Sequence, residues 1–294
     1  MSGLSRSGLR RAEVPGAFDV GAAAYDRLVG ANPGYHDHLR ISARRMRIPG
    51  GGRGQRLLDA GCGTGASTAA LLEVAPHAEI VAVDASAGML EQAAAKPWPD
   101  TVRFVHTPIE DLAQAGVDGP FDGILAAYLL RNLADPEAQL RRFRDLLRPG
   151  ATLAVHEYSV CDSAAAQAIW TAVCWGVIIP AGRLKTGDST LYRHLWRSVI
   201  SFDGAADFQR RLAAAGFAGV HSETMPGWQR DIVHTFLADA PEVDSGSAVT
   251  PDTAGTAGTA GTAGTAGTAG TAGTADVADE DPETIAPENV EGGR

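Results

Sequence analysis

The stretch Leu57-Leu58-Asp59-Ala60-Gly61-Cys62-Gly63-Thr64-Gly65 constrains this chain more than any other. A short apolar run ends in an acid, glycines then alternate with small residues, and Ala66 to Val74 continues as a helix. The order is strand, tight turn, helix start. Glycine is needed where the backbone takes φ > 0 or lets a ligand come close. The first amides of a helix have no intrahelical acceptor and are open to a polar ligand. The spacing Gly-x-Gly-x-Gly differs from the Gly-x-Gly-x-x-Gly of dinucleotide sites, and it lacks the Lys-Ser/Thr of a phosphate loop. Taken alone, the turn also fits a strand-to-helix connection that binds nothing.

The next strand narrows the reading. Glu79-Ile80-Val81-Ala82-Val83-Asp84 is a buried-type strand ending in an acid 25 positions after Asp59. An acid at the tip of the second strand of a βαβ unit is placed to hold vicinal ribose hydroxyls. Ser86 is a good N-cap for the helix that follows. An acid, three alternating glycines and this second acid resemble the class I S-adenosylmethionine-dependent methyltransferases. The resemblance implies S-adenosylmethionine as cofactor. Asp59, Gly61, Gly63, Thr64 and Gly65 would line its methionine half, and Asp84 its ribose. Ala85 and Ala127 join this set, and Met89 lies against the purine. Tyr25, in the entry segment Phe18 to Asp26, would close over cofactor or substrate, although a packed aromatic reads equally well there. In the turn after the third strand the family often carries Asp or Asn toward the adenine amino group. Here that position is Pro108, which leaves the Ile109 amide and Glu110 or Asp111 for the task.

Strand and helix keep alternating: strands at 102–106, 121–127 and 151–158, and helices at 88–96, 136–147 and 205–215, with a closing hairpin from Val220 and Ile232 to Leu237. Such alternation predicts a mostly parallel sheet with right-handed crossovers. The expected fold is α/β, a Rossmann-like seven-stranded sheet flanked by helices. Residues 1–16 read as a leader, 17–240 as the catalytic domain with a helical lid or insert at about 160–200, and 241–294 as a disordered tail. The tail repeats Thr-Ala-Gly from Thr253 to Gly273 and lacks large apolar residues there, so it cannot offset its ordering entropy.

Residues 164–182 carry no charge. That length could just span a bilayer. Their place between strands that must pair, and Gln167, Thr171 and Pro180 within them, favour a buried or lid helix that lines a greasy pocket or rests on a membrane surface.

Charge is uneven. Of the net −10, residues 241–294 supply ten acids against one base, Arg294, so the body is nearly neutral. No basic field points to nucleic acid. Cys62, Cys161 and Cys174 fit neither a disulfide frame nor a metal-ligand spacing and read as free buried thiols in a reducing cytoplasm. No metal is expected. The N-terminal arginines have no apolar segment behind them, which excludes a signal peptide. The expected location is cytoplasmic, with peripheral membrane contact open; oligomeric state is not legible.

A narrower resemblance follows the fourth strand. Tyr128-Leu129-Leu130-Arg131-Asn132-Leu133-Ala134-Asp135 is similar to the aromatic-x-Leu-Arg-Asn-x-x-Asp of the ubiquinone/menaquinone biosynthesis C-methyltransferase family. Leu146 to Gly150, Glu157-Tyr158-Ser159, Pro180 to Asp188 and Leu191-Tyr192-Arg193-His194-Leu195 agree in order. The ends differ: Arg27-Leu28 follows Tyr25-Asp26, and Met225 to Thr235 replaces the family's closing strand. The resemblance implies C-methylation of a prenylated quinol, a small hydrophobic aromatic. Arg131, always protonated, would stabilise the phenolate, Asn132 would hold the hydroxyl or a water, and Tyr192 would assist, with Arg193 and His156 behind it. Arg131 could instead simply pair with Asp135. A natural-product O- or C-methyltransferase, and a cofactor-binding subunit without turnover, are the alternatives.

Overall fold

The protein is described here by a computed structural model that places residue 16, residues 34–186 and residues 189–242. Tyr25 and its entry segment, the leader, the repeat tail and Gly187-Asp188 lie outside the described residues.

Five strands run parallel: β1 Arg56–Ala60, β2 Glu79–Asp84, β3 Val102–His106, β4 Phe121–Ala127 and β5 Leu147–Tyr158. Two more, β6 Ala218–Thr224 and β7 Val233–Asp239, pair antiparallel and close the sheet. The order is β3-β2-β1-β4-β5-β7-β6. β1, β2 and β4 are apolar almost throughout because both faces of a parallel sheet are covered. On β1, Leu57 packs toward helices α1 (Tyr35–Arg45) and α2 (Ala66–Val74), while Leu58 packs toward the opposite layer. That layer holds α4 (Pro136–Leu146) and α8 (Ala205–Ala214), with Leu140, Phe143, Phe208 and Leu212 in its core. Helix α3 (Ala87–Ala94) starts on Ser86, whose Oγ accepts from the Met89 amide at 3.1 Å.

The chain winds outward from β1 in one direction and returns to β4 in the other. Ligands bind in α/β folds at this reversal, outside the carboxyl ends of the strands. Most of the acid, glycine and Arg-Asn residues singled out above fall at that end.

The structure differs from the sequence reading in three places. β5 begins at Leu147 rather than 151; its pairing with β4 jumps from Phe121–Leu147 to Gly123–Thr152, an irregularity that absorbs Arg148-Pro149-Gly150. The uncharged segment is a continuous helix with a π-helical turn inside it, buried along one stripe only, which departs from the buried alternative and not from the lid one. It comprises α5 (Ala164–Val173), a π-helical turn (Cys174–Ile178) and α6 (Ile179–Thr186), followed by α7 (Thr190–Ile200). One stripe, Ala166, Trp170 and Cys174, is buried, whereas Ile169, Trp175, Val177 and Leu184 are 46%, 48%, 63% and 87% exposed. Finally, all three thiols are free but Cys161 is exposed rather than buried.

Candidate active site

A cavity of about 360 Å³ opens at the carboxyl ends of β1, β2 and β4. Its two halves are built differently.

The first half is local. The amides of Gly61 and Cys62 both donate to the Val83 carbonyl, at 2.8 and 2.9 Å, and tie the glycine turn to the end of β2. The Asp84 carboxylate at that end accepts from the Gly63 amide (2.8 Å) through one oxygen and from the Ser86 amide (2.8 Å) through the other. Each carboxylate oxygen has a second lone pair for a further donor. Gly61, Gly63, Thr64, Asp84, Ala85, Met89, Ile109, Glu110 and Ala127 all line the cavity, as do Thr107 and Pro108.

Asp59 and Gly65 do not line it. Asp59 is fully buried beneath the turn, where Ser67 and Thr68 hydroxyls donate to its Oδ2 at 2.8 and 2.6 Å. Burial pushes its carboxyl up to about 7, against those two hydrogen bonds. Its buried Oδ1 has no hydrogen-bond partner among the described residues. Gly65, at φ 88°, is a packing glycine: a Cβ there would lie 2.7 Å from the Trp98 ring.

The second half is assembled from distant segments. Tyr128 follows β4 and turns left-handed (φ 56°) into a single 3-10 turn, Leu130–Asn132. Its carbonyl accepts from Arg131 Nη1 at 2.9 Å and from Asn132 Nδ2 at 3.1 Å. Arg131 Nη1 also donates to Glu157 Oε1 at 2.6 Å, in a pair whose side chains are 7% and 0% exposed. Burial raises the Glu157 carboxyl and the Arg131 charge pulls it back. The partner of Arg131 is therefore Glu157 of β5. Asp135 serves elsewhere, accepting from the Ala138 amide as the N-cap of α4. The Tyr128 ring stacks on Tyr35 (5.8 Å, 14°) and on Tyr158 (4.8 Å, 28°), and Arg131 lies 5.5 Å from its centroid. Arg131 and Asn132 line the cavity with Tyr35, Leu39, Tyr128 and Leu129.

Tyr192 is absent from the cavity lining. It is buried in the cluster of α5, α7 and β7, its ring where a side chain on Gly182 would stand. Arg193 lies over the exposed Trp175, and Trp228 is an exposed side chain of the β6–β7 turn. Glu157, Tyr35 and Tyr128 are the residues that sequence reading missed in a role. Glu157 and Tyr128 stood inside quoted motifs; nothing marked Tyr35.

The profile of the ubiE/COQ5 methyltransferase family matches residues 7–229. The chain belongs to this family. This methyltransferase is 30% identical over 215 residues to the demethylmenaquinone methyltransferase of Clavibacter sepedonicus, covering 72% of this chain and 85% of that one. It is 32% identical over 192 residues to the ubiquinone/menaquinone biosynthesis C-methyltransferase UbiE of Bradyrhizobium diazoefficiens, covering 64% and 75%. Among solved structures it is similar in fold to the 4+2 cyclase SpnF (TM-score 0.58, 17% identity, 83% and 100% covered). It is also similar to the Burkholderia thailandensis 1,6-didemethyltoxoflavin-N1-methyltransferase, solved with S-adenosylhomocysteine (TM-score 0.53, 17% identity, 82% and 93% covered). A cyclase and an N-methyltransferase on one fold leave the acceptor to be argued from the site.

The first half of the cavity fits an adenosyl cofactor. A half-buried carboxylate faces the glycine turn, a thioether and the Ile109 amide stand beyond it, and the orphaned Asp59 oxygen lies behind. Asp84 would hold ribose hydroxyls, Met89 and Ile109 would hold the purine, and the turn from Gly61 to Thr64 would take the amino-acid end.

Proposed function

We propose that this S-adenosylmethionine-dependent methyltransferase methylates a ring carbon of a prenylated quinol. The observation that carries the reading is the convergence of Arg131 and Asn132 on one carbonyl, in the cavity wall next to the cofactor half. When bound, the cofactor supplies an electrophilic methyl, so the protein must supply a nucleophile in line at close range. A quinol carbon becomes nucleophilic as the neighbouring hydroxyl loses its proton. The Arg131 guanidinium favours that phenolate by charge and by its donors. Asn132 orients the hydroxyl or the water that takes its proton. Glu157 fixes the guanidinium plane, and the Tyr35 and Tyr128 rings give a flat acceptor an aromatic wall. The relatives named for demethylmenaquinone and ubiquinone methylation support this acceptor class.

The exposed apolar face of α5 and α6 supports a finer point. Ile169, Trp175, Val177 and Leu184 are exposed beside the exposed Arg183, Arg193 and Arg197, and no acid occurs between Ser163 and Thr186 or within α7. Aromatic and aliphatic side chains flanked by arginines suit an anionic lipid surface. The chain would meet its lipid-tailed acceptor there as a peripheral protein.

The test is turnover of methyl-labelled cofactor with demethylmenaquinol in detergent, with the methyl located by NMR. Transfer to a ring carbon is expected, with Arg131→Ala keeping cofactor binding and losing turnover. Cofactor binding without transfer to any quinol would overturn the acceptor assignment.

A further inference from the structure

A buried polar chain runs beneath the acceptor half of the cavity. His156 Nε2 lies 2.9 Å from Tyr128 Oη, and His156 Nδ1 lies 2.8 Å from Ser42 Oγ of α1. Ser42 Oγ lies 2.7 Å from Thr235 Oγ1 of β7, which accepts from Arg45 Nη1 at 2.7 Å. Arg45 is also paired with Glu223 at 3.0 Å. Ser42, His156 and Thr235 are completely buried.

One member favours one sense of the chain. A guanidinium donates and cannot accept, so Thr235 Oγ1 receives the Arg45 hydrogen. The arrangement that pairs every other hydrogen has Thr235 donating to Ser42, and Ser42 donating to His156 Nδ1. The imidazole is then the neutral Nε2–H tautomer and donates to Tyr128 Oη. Burial, which strongly disfavours its cation, agrees with a neutral ring.

The chain ends on a strained residue. A tyrosine at φ 56° costs energy that its surroundings must hold. Besides a hydrogen bond between its side chain and that of Tyr158, three anchors hold it. Its amide donates to the His156 carbonyl at 2.8 Å, its ring is stacked, and its hydroxyl is tied to the His156 imidazole. The carbonyl of this same residue gathers Arg131 and Asn132. A hydroxyl tether under the cavity thus sets the orientation of the two side chains above it.

We propose that His156 is a positioning residue for methyl transfer, acting through Tyr128, with Ser42 fixing its tautomer. The role in transfer rests on the reading of Arg131 and Asn132 as the acceptor-binding pair. The tether itself does not.

The experiment uses the full chain and two readouts. The first is NMR. Long-range proton–nitrogen correlation of His156 should report hydrogen on Nε2 and none on Nδ1, and Ser42→Ala should mix the tautomers. The Arg131 Nε–H cross-peak, assigned by its loss in Arg131→Lys, should shift or broaden in Tyr128→Phe and recover toward wild type in no other Tyr128 variant. An Nδ1–H tautomer, or an Arg131 cross-peak unmoved in Tyr128→Phe, overturns the proposal whatever the acceptor is.

The second readout is kinetic, with demethylmenaquinol. Tyr128→Phe removes the hydroxyl's bonds to His156 and to the Tyr158 side chain and should lower kcat at least about ten-fold, with cofactor affinity and acceptor KM within about two-fold. The kcat losses of His156→Leu and Tyr128→Phe should be less than additive in the double variant, because the two substitutions remove the same Tyr128–His156 hydrogen bond. Additive losses, an unchanged kcat, or a parallel fall in cofactor affinity would overturn it. Wild-type chain that leaves the quinol unmethylated fails the acceptor reading instead, and the NMR result still decides the tether.

Discussion

The two halves of the cavity are built by different means. In the half proposed for the cofactor, one turn supplies backbone amides and one strand end a carboxylate, and the Gly63 and Ser86 amides that meet Asp84 lie within 21 residues of it. In the acceptor half, side chains from α1, β4, β5 and β7 meet across 26 to 193 residues of sequence. The first is a property of a motif. The second exists only once the sheet has formed. Stability should therefore be invested in the acceptor half, and ligand affinity in the cofactor half.

The largest effect should come from Glu157→Ala. It leaves the Arg131 guanidinium buried without its carboxylate, which costs about 3–5 kcal/mol where such pairs are broken on one side. Thermal or denaturant unfolding would measure it. Asp84→Ala should cost far less stability, since Asp84 is only half-buried. It should instead weaken cofactor binding about 100-fold, the size of one hydrogen bond to a charged group; calorimetric titration with S-adenosylhomocysteine reads this directly. The contrast breaks if Asp84→Ala proves the more destabilising, or if Glu157→Ala lowers cofactor affinity as strongly.

A second pair of buried groups sharpens the comparison through pH. Asp59 in the cofactor half has its carboxyl raised to about 7 by burial, while His156 in the acceptor half is lowered to about 3. Between about pH 4 and 7 the native chain keeps an Asp59 proton that the unfolded chain has lost, so this group's contribution to stability falls as pH rises. His156 works oppositely. Below about pH 6.5 the unfolded chain takes up a proton that the native imidazole refuses, so its contribution is present at neutral pH and lost as pH falls toward 3. Over pH 4 to 6.5 the two oppose each other. Asp59→Asn should add a positive slope of up to ~1.4 kcal/mol per pH unit there, one proton's worth. Denaturant midpoints of both forms across that range, without cofactor, would test it. Parallel curves would show that Asp59 ionises normally.

The same division explains what could be read from the sequence. β1, β2, β3 and β4 and helix α2 lie where apolar runs, glycines and caps put them, because those signals act within a few residues. Of the residues expected at the cofactor, Tyr25 lies outside the described residues and most of the others line the cavity, but two do not. Gly65 and Asp59 match the motif, yet they serve the turn from behind it, Gly65 by making room for Trp98 and Asp59 by anchoring the start of α2. A motif marks a turn without telling which of its members face the ligand. In the acceptor half, Arg131 was legible through a resemblance and its partner was not. Asp135, four residues on, is the neighbour that helical spacing offers; Glu157 becomes the neighbour only through the pairing of Ala127 with His156 across β4 and β5. Tyr192 went the other way. It stood in a specific-looking motif and turns out to pack against Gly182.

The smallest expected effect concerns the surface of α5 and α6, where neither half of the cavity is touched. A helix whose buried stripe is Ala166, Trp170 and Cys174 is fastened to the domain by that stripe, so its opposite face is open to a partner surface rather than to the protein core. Trp175 is the large aromatic side chain exposed there, with Arg193 5.9 Å over its ring, and on the peripheral-membrane proposal it is the main anchor. Trp175→Ala should lower partition onto vesicles containing anionic lipid by roughly ten-fold, the scale of one lost aromatic side chain. Arg193→Gln should lower it by about five-fold, and only at low salt, because screening removes that share. Turnover of a water-soluble short-chain quinol should stay unchanged in both. If binding to neutral vesicles equals binding to anionic ones, the arginines are not part of the surface, and the apolar face alone would set how the acceptor is delivered.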